Sequence, residues 1–422
     1  MRRSIFGLSL GLTVACVAGA AATDAASAPI PARPMSVAQG SPTLIVLLTI
    51  DQFRGDYVER YGAQLRGGIA RLARGGAYFT DAHHDHAITE TAPGHATLLS
   101  GRFPRSTGIM MNSIGVEDEA APLLANGFGP GASPARFRGT TLVDWMTAAN
   151  TRTRTLSVSM KDRGAILPVG RAKSDVYWYS IDGRFLTSRY YRKELPAWVE
   201  AFNNRNMVAG FAGKSWSLLL PDSAYAERDS VPVEMNGRGV TFPHVLTDDV
   251  MDAGANIRIT PFMDDLVLSF ALHGVQSLEL GAGSHTDLLA VSLSATDVIG
   301  HNFGPDSREM HDQVLRVDRA VGVFLDSLYK LRDSSTITVV LTGDHGVGTI
   351  PEIAPAGTSP TPRRVSLAPV MPGLRAKLRE LKVDTFAIEP DWNIVLADRR
   401  AFRKPADFEA AMTYLLEQIR AQ

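Results

Sequence analysis

Cysteine is almost absent from this chain. Its one copy in 422 residues, Cys16, lies inside the N-terminal apolar run. Disulfides, cysteine nucleophiles and thiolate metal sites are therefore excluded from the rest of the chain, and any metal site there must be built from histidine and carboxylates. An excess of either charge is also missing: 43 Lys and Arg against 44 Asp and Glu leave a formal net charge of -1. That balance supplies no general attraction to nucleic acid or to an anionic membrane, and no nucleic-acid-binding module is expected. Past the N-terminus no apolar run is long enough to span a bilayer, so no transmembrane segment is expected there. Internal repeats are lacking as well. Histidine stops early, because none occurs from Gly346 to Gln422.

With 45% hydrophobic and 21% charged residues the composition is that of a globular protein. Arg2 and Arg3, the apolar run from Ile5 to Val17 and the small-residue stretch that follows predict a signal peptide over residues 1–25. Export to a periplasm or to the medium is the expected location. Thr13, where a lipoprotein signal prefers a large aliphatic residue, favours ordinary cleavage over a lipid anchor. Residues 26–41, "ASAPIPARPMSVAQGS", read as a flexible tether, and 42–422 as one catalytic domain, with about 170–260 an inserted cap region.

The apolar runs "PTLIVLLTID", "RTLSVSM", "DLLAVSLS" and "STITVVLT" read as strands buried on both faces. Helical patterns such as "MHDQVLRVDRAVGVFLDSLYKL" lie between them. Alternating strand and helix predict an α/β fold with a mostly parallel central sheet and helices on both faces. Three of the runs lead into chemistry: the first ends in Asp51, the third leads to Asp297 and His301, and the fourth to Asp344 and His345. An aspartate after a strand is commonly a turn or cap residue. Three together, at the carboxyl ends of parallel strands where such sheets bind ligands, ask for a joint explanation. Carboxylate and imidazole together suit zinc better than magnesium or calcium.

Thr91 opens "TAPGHATLLSG", a hydroxyl where a turn feeds a helix. Taken alone it reads as a cap. Set beside "LLTIDQFRGDY", "SATDVIGHNFGP" and "LTGDHG", in that order, it resembles the alkaline phosphatase superfamily of two-metal phosphohydrolases, which includes the type I phosphodiesterases and nucleotide pyrophosphatases. The pattern is most similar to the phosphate-irrepressible bacterial alkaline phosphatases with a threonine nucleophile. The resemblance implies an alkaline phosphatase-like fold and two zinc ions. Asp51, Thr91, Asp344 and His345 match the ligands of one, Asp297 and His301 two ligands of the other, and Thr91 the nucleophile. The sulfatase branch is disfavoured, since Thr91-Ala-Pro-Gly-His lacks its Cys/Ser-x-Pro-x-Arg context. Asn112 in "GIMMNS" matches a holder of a phosphoryl oxygen, and Lys161 and Arg163 in "SVSMKDRGAILPVG" match the Lys-x-Arg pair of the monoesterase branch.

The expected substrate is a small phosphate monoester, cleaved through a phosphothreonine at Thr91. Two alternatives stay open. One is a phosphodiesterase or nucleotide pyrophosphatase on the same scaffold. The other is an inactive, truncated phosphate-ester-binding paralogue, prompted by the late histidine that usually completes the second metal site and that this sequence lacks. His83, His84 and His86 read as structural or supporting residues, and His95 as packing under the Thr91 turn. His285 and His311 read as surface or cap residues. Tyr177, Trp178 and Tyr179 are assigned either to the cleft wall or to a small core of the cap.

Overall fold

The computed structural model describes residues 40–422, apart from 126, 355, 356, 360, 392 and 393. The expected signal peptide and nearly all of the tether lie outside the described residues. Among the described residues ten strands follow one another: β1 (Leu44–Ile50), β2 (Thr155–Ser159), β3 (Asp175–Tyr179), β4 (Phe185–Leu186), β5 (Ser215–Trp216), β6 (His244–Val245), β7 (Asp287–Leu293), β8 (Ile337–Gly343), β9 (Ile388–Asp391) and β10 (Ile394–Ala397). Six form the main sheet in the order β4-β3-β2-β7-β1-β8. Every pairing from β3 across to β8 is parallel, and only β4 runs antiparallel, against β3. The mostly parallel sheet expected from the apolar runs is present, with β1, β2 and β7 inside the quoted runs. β8 reaches one residue past its run, to Gly343, and the expectation that it is buried on both faces is overturned, because it is the edge strand and only partly buried.

Side-chain alternation divides the interior between the two faces of the sheet. Leu44, Val46, Leu48 and Ile50 of β1 join Leu289, Val291 and Leu293 of β7 against helices Phe262–Ser277 and Arg308–Leu331. The opposite face carries Leu288 of β7 and Val176 of β3 against Ala92 and Ala96 of helix Thr91–Leu98 and Ala165 and Ile166 of helix Asp162–Ile166. Each fully buried aliphatic side chain contributes about 1.5–3 kcal/mol of transfer free energy, which fixes the register, since a one-residue slip would turn every one of them to the wrong face. Helix Arg308–Leu331 begins at Ser307, whose Oγ accepts the Met310 N–H at 3.0 Å.

The stretch of 170–260 divides in two. Its first part, through Leu186, supplies β3 and β4 to the main sheet, with Tyr177 and Tyr179 packed in the main core. A strand shows there because Val176 and Trp178 alternate with those tyrosines, placing aromatic residues on both faces. The remainder consists of short helical turns and the β5–β6 pair. Helices Met371–Glu380 and Pro405–Arg420 with β9 and β10 pack around a core of their own that includes Leu374, Leu378, Ile388 and Leu415.

The topology decides where chemistry is possible. β1, β2, β7 and β8 are parallel neighbours, so their carboxyl ends open on one edge of the sheet. Asp51, Lys161, Asp297 and Asp344 all follow those ends within four residues of the last strand position.

Candidate active site

Thr91 is the first residue of helix Thr91–Leu98, with Glu90 in extended backbone before it. Its hydroxyl therefore sits at a helix N-terminus, where unpaired N–H groups favour an anion. Gly94, one turn in, lets this helix lie against the Asp344 loop, since a Cβ there would stand 2.3 Å from the Asp344 carbonyl oxygen. Asn112 closes the same terminus. Its Oδ1 accepts the Ala92 N–H at 2.8 Å, and its own N–H is donated to Glu90 Oε2 at 2.7 Å.

Lys161, just past β2, reaches across the sheet edge. Its Nζ lies 2.7 Å from Asp51 Oδ2 and 2.5 Å from Asp297 Oδ2, and donates to Thr91 Oγ1 at 3.1 Å. Thr91 Oγ1 is also 3.4 Å from Asp51 Oδ1. His345 Nε2 faces Asp51 Oδ1 at 3.3 Å and Asp297 Oδ1 at 3.8 Å. His345 Nδ1 pairs with the Gly346 carbonyl at 2.8 Å, which accounts for the Nδ1 proton and leaves Nε2 as the atom turned to Asp51 and Asp297.

Among the described residues, Asp51, Asp297 and His345 form a group able to hold a metal ion, with one ligand atom from each within 4.8 Å of the others. Two carboxylates and an imidazole are the donor set of a zinc-type site. Asp51 Oδ2 and Asp344 Oδ2 are buried and meet the Lys161 ammonium at 2.7 Å and His95 Nδ1 at 2.9 Å, contacts outside hydrogen-bond geometry. The group draws on both ligand sets implied by the motifs, Asp51 and His345 from one and Asp297 from the other. Asp344 stands directly behind it: its Oδ1 accepts from Gln52 and His345 backbone N–H groups at 3.0 and 2.9 Å, and its Oδ2 lies 2.9 Å from His95 Nδ1. His301 is at the rim, 70% exposed, with Nε2 3.3 Å from Asp297 Oδ1 one helical turn away.

The electrostatics follow from this packing. Burial opposes ionisation of Asp51, and the Asp344 charge adds to that, yet Lys161 and His345 outweigh both and hold its carboxyl below the usual range. Asp297 is held low in the same way, with Lys161 and His301 overcoming burial and Asp51. Burial also works against charge on His345, but its bond to Asp51 and the Asp344 charge push it up to about 9. Lys161 is raised despite burial, by Asp51 and Asp297. The edge is thus a cluster of opposite charges kept ionised in the dry interior.

Arg163 does not touch Thr91. It lines a cavity of about 390 Å³ together with Lys161, Asp297, His301, Trp178, Tyr179, Phe128 and Arg258. Its Nε is buried without a hydrogen-bond partner among the described residues, and its Nη1 lies 3.6 Å from Asp162 Oδ1.

The other histidines stay out of the metal group. His84 Nε2 meets the Gly343 carbonyl at 3.1 Å and His86 Nδ1 the Ile88 carbonyl at 2.9 Å. His95 lies under the Thr91 turn as expected, bonded to the Thr91 carbonyl and to Ser292 Oγ. The surface reading of His311 is overturned: it is buried, paired with Glu227 Oε2 at 2.8 Å and stacked on Tyr61. Tyr61, Tyr225, Gln64 and Glu227 close around it, which a position at a helix start did not reveal. Gln52, Phe128 and Arg258 are neighbours of the site that the motif reading missed. Only Gln52 had a signal, its place directly after Asp51.

The profile of the type I phosphodiesterase / nucleotide pyrophosphatase family matches residues 45–359, a span that contains every side chain of this site. The chain belongs to that family. Alkaline phosphatase PafA of Elizabethkingia meningoseptica is 36% identical over 327 residues, 72% of this chain and 60% of that protein. Alkaline phosphatase PhoK of a Sphingomonas species is 33% identical over 360 residues, 82% of this chain and 62% of that protein. The chain thus spans about three fifths of the length of these curated relatives. The crystal structure of wild-type PafA matches with a TM-score of 0.80 at 31% identity, covering 90% of this chain and 77% of that one. A PafA variant carrying Thr-to-Ser, Asn-to-Ala, Lys-to-Ala and Arg-to-Ala substitutions matches with the same TM-score at 30% identity. Among family members the fold is therefore that of an alkaline phosphatase.

Proposed function

We infer that this chain is an exported, metal-dependent phosphohydrolase that cleaves small phosphate monoesters through a phosphothreonine at Thr91. The observation that carries the reading is the convergence, on one sheet edge, of the Thr91 hydroxyl, the Lys161 ammonium and the Asp51, Asp297 and His345 ligand group. The four residue types substituted in the PafA variant stand here in the same order as Thr91, Asn112, Lys161 and Arg163, with the same Thr-to-Asn and Lys-to-Arg spacings. PafA, PhoV and PhoK, named alkaline phosphatases, support the monoester reading.

Asp51, Thr91, Asp344 and His345 would hold one zinc, and Asp297 and His301 a second. When bound, the metals supply positive charge at the oxygens entering and leaving phosphorus. The chain's own groups do the rest. Thr91 Oγ forms the new bond to phosphorus from a helix N-terminus that favours its anion. Lys161, already 3.1 Å from that oxygen, offsets the negative charge gathering on the transferring group. Asn112 and Arg163 would bind equatorial oxygens, which orients phosphorus in line with Thr91 and the ester oxygen. The bond between phosphorus and the ester oxygen breaks, the alcohol leaves with a proton from solvent, and water then cleaves the phosphothreonine to return Thr91 and inorganic phosphate. A monoester brings two negative charges, which Lys161 and Arg163 together complement better than the single charge of a diester.

The test uses purified protein, zinc analysis by mass spectrometry and turnover of p-nitrophenyl phosphate. Acid quenching during turnover should trap a phosphoryl group on Thr91, seen by peptide mass spectrometry. A protein that takes up no zinc and turns over no monoester overturns the reading.

A further inference from the structure

The residue between the Asp51 ligand and the turn that follows is built unlike its surroundings. Gln52 is buried, yet its φ is +62°, a left-handed conformation that burdens any residue with a Cβ. From that position its backbone N–H is donated to Asp344 Oδ1 at 3.0 Å, and its side-chain Nε2 to Asp297 Oδ1 at 3.0 Å. One residue thus ties the carboxylate after β8 to the carboxylate after β7. Its Oε1 is buried without a hydrogen-bond partner among the described residues. On its far side is Gly300, where a Cβ would stand 2.0 Å from that Oε1. The helix carrying Asp297 and His301 therefore has a glycine at the point where the Gln52 amide presses on it. Backbone strain and an unmet acceptor are both costs to folding, and a glycine at position 52 would remove them.

We propose that Gln52 is a positioning residue for the metal site: its two hydrogen bonds set the spacing and orientation of Asp344 and Asp297, and Gly300 is the seat that lets the amide reach. Nε2 holds Asp297 Oδ1, the oxygen facing His301 and His345, so the Oδ1 lone pair left over is aimed by that bond. Supporting hydrogen bonds of this kind commonly govern metal affinity by about 10–100-fold. The inference rests on the metal-dependent reading above.

Gln52→Gly separates positioning from structure. It keeps the backbone N–H that serves Asp344, accepts the left-handed conformation freely and removes only the amide. The expected result is a chelator-treated protein that melts at the same temperature as wild type or higher, while zinc affinity, read by competition with a chromophoric chelator, falls by about 10–100-fold. A merely structural role would move the melting temperature down and leave zinc affinity in place. Gly300→Ala should weaken zinc binding in the wild-type background and add nothing in the Gln52→Gly background, where the atom its Cβ would meet is gone. Zinc affinity of Gln52→Gly within twofold of wild type, or an equal Gly300→Ala effect in both backgrounds, overturns the proposal. Should Gly300→Ala not fold, Gln52→Gly alone decides. Wild-type protein that binds no zinc overturns the metal-dependent reading and this inference with it, whereas zinc binding unaffected by Gln52→Gly overturns the inference alone.

Discussion

Lys161→Met removes a charge while keeping most of the aliphatic stem, so it isolates what the ammonium does. In the structure that ammonium is 2.7 Å from Asp51 and 2.5 Å from Asp297, all three side chains nearly or fully buried. Deleting one partner of a buried ion pair leaves uncompensated charge behind, at a cost of about 3–5 kcal/mol. Here two carboxylates lose the same partner, so chelator-treated Lys161→Met should show at least that loss in urea unfolding. Zinc neutralises the same carboxylates, so the difference between variant and wild type should narrow sharply when zinc is saturating. Activity should respond differently. A charge-assisted hydrogen bond to phosphate is worth about 1.5–3 kcal/mol, so kcat/KM on p-nitrophenyl phosphate should fall roughly ten- to a hundredfold, with a smaller fall on bis-p-nitrophenyl phosphate. Equal losses on both esters would refute the assignment of Lys161 to the second negative charge of a monoester. Unchanged stability after chelation would refute the electrostatic account of the sheet edge.

Thr91→Ala should abolish the trapped phosphoenzyme while zinc uptake continues, because Asp51, Asp297 and His345 remain as ligands once the hydroxyl is gone; loss of zinc along with the phosphoryl group would count against that separation. Gly94→Ala drives a Cβ into the Asp344 carbonyl and should cost about 1–3 kcal/mol in thermal unfolding and lower turnover as well; a silent variant would show that the helix and the Asp344 loop are not locked together. Glu234, in the turn beside the helix that carries Asp297 and His301, offers a pH test. Burial first, then the Glu309 and Asp229 charges, push its carboxyl from 4.5 up to about 8. A folded pKa above the unfolded one means its stabilising contribution is whole below pH 4.5 and is lost as pH rises through about 8. Glu234→Gln, fixed in the neutral form, should therefore match wild type at the acid end and gain on it by on the order of 1 kcal/mol per pH unit up to about pH 8. Urea midpoints at pH 5 and pH 8 measure it, and a gap that does not widen refutes it.

The four strands that carry the site were legible because each is a run rich in β-branched and aliphatic residues and three of them lead to an acid, but that β8 lies at the sheet edge and is only partly buried was not legible in its run. β3 was not, since its run mixes tyrosine and tryptophan with polar residues and reads equally well as part of a cap. Asp51, Asp297, Asp344 and His345 could be named from their places after strands, and Thr91, Asn112, Lys161 and Arg163 only from the order of motifs. Pattern could not say that Lys161 bridges two carboxylates or that Arg163 faces a cavity instead of Thr91, because those distances belong to the crossing of β2 beside β7. Gln52 was hidden for a different reason: its place after Asp51 was its one signal, its left-handed conformation leaves none, and its partners are more than 240 positions away. His311 was misread because burial of a helix start depends on what lies above it.

The pairing of β1 has a bearing on how the chain reaches this structure. Leu44 sits opposite Asp287 on one side and Ile337 on the other, so β1, the earliest strand of the sheet in chain order, meets neither neighbour until β2, β3 and β4 have been made. Contacts so distant close slowly, and the apolar run "LIVLLTI" stays without its ladder for the whole of that delay. The chain must be kept from self-association through synthesis, and the two strands that end this exposure are the ones that deliver Asp297, Asp344 and His345. Completion of the hydrophobic sheet and completion of the ligand group are the same event in time.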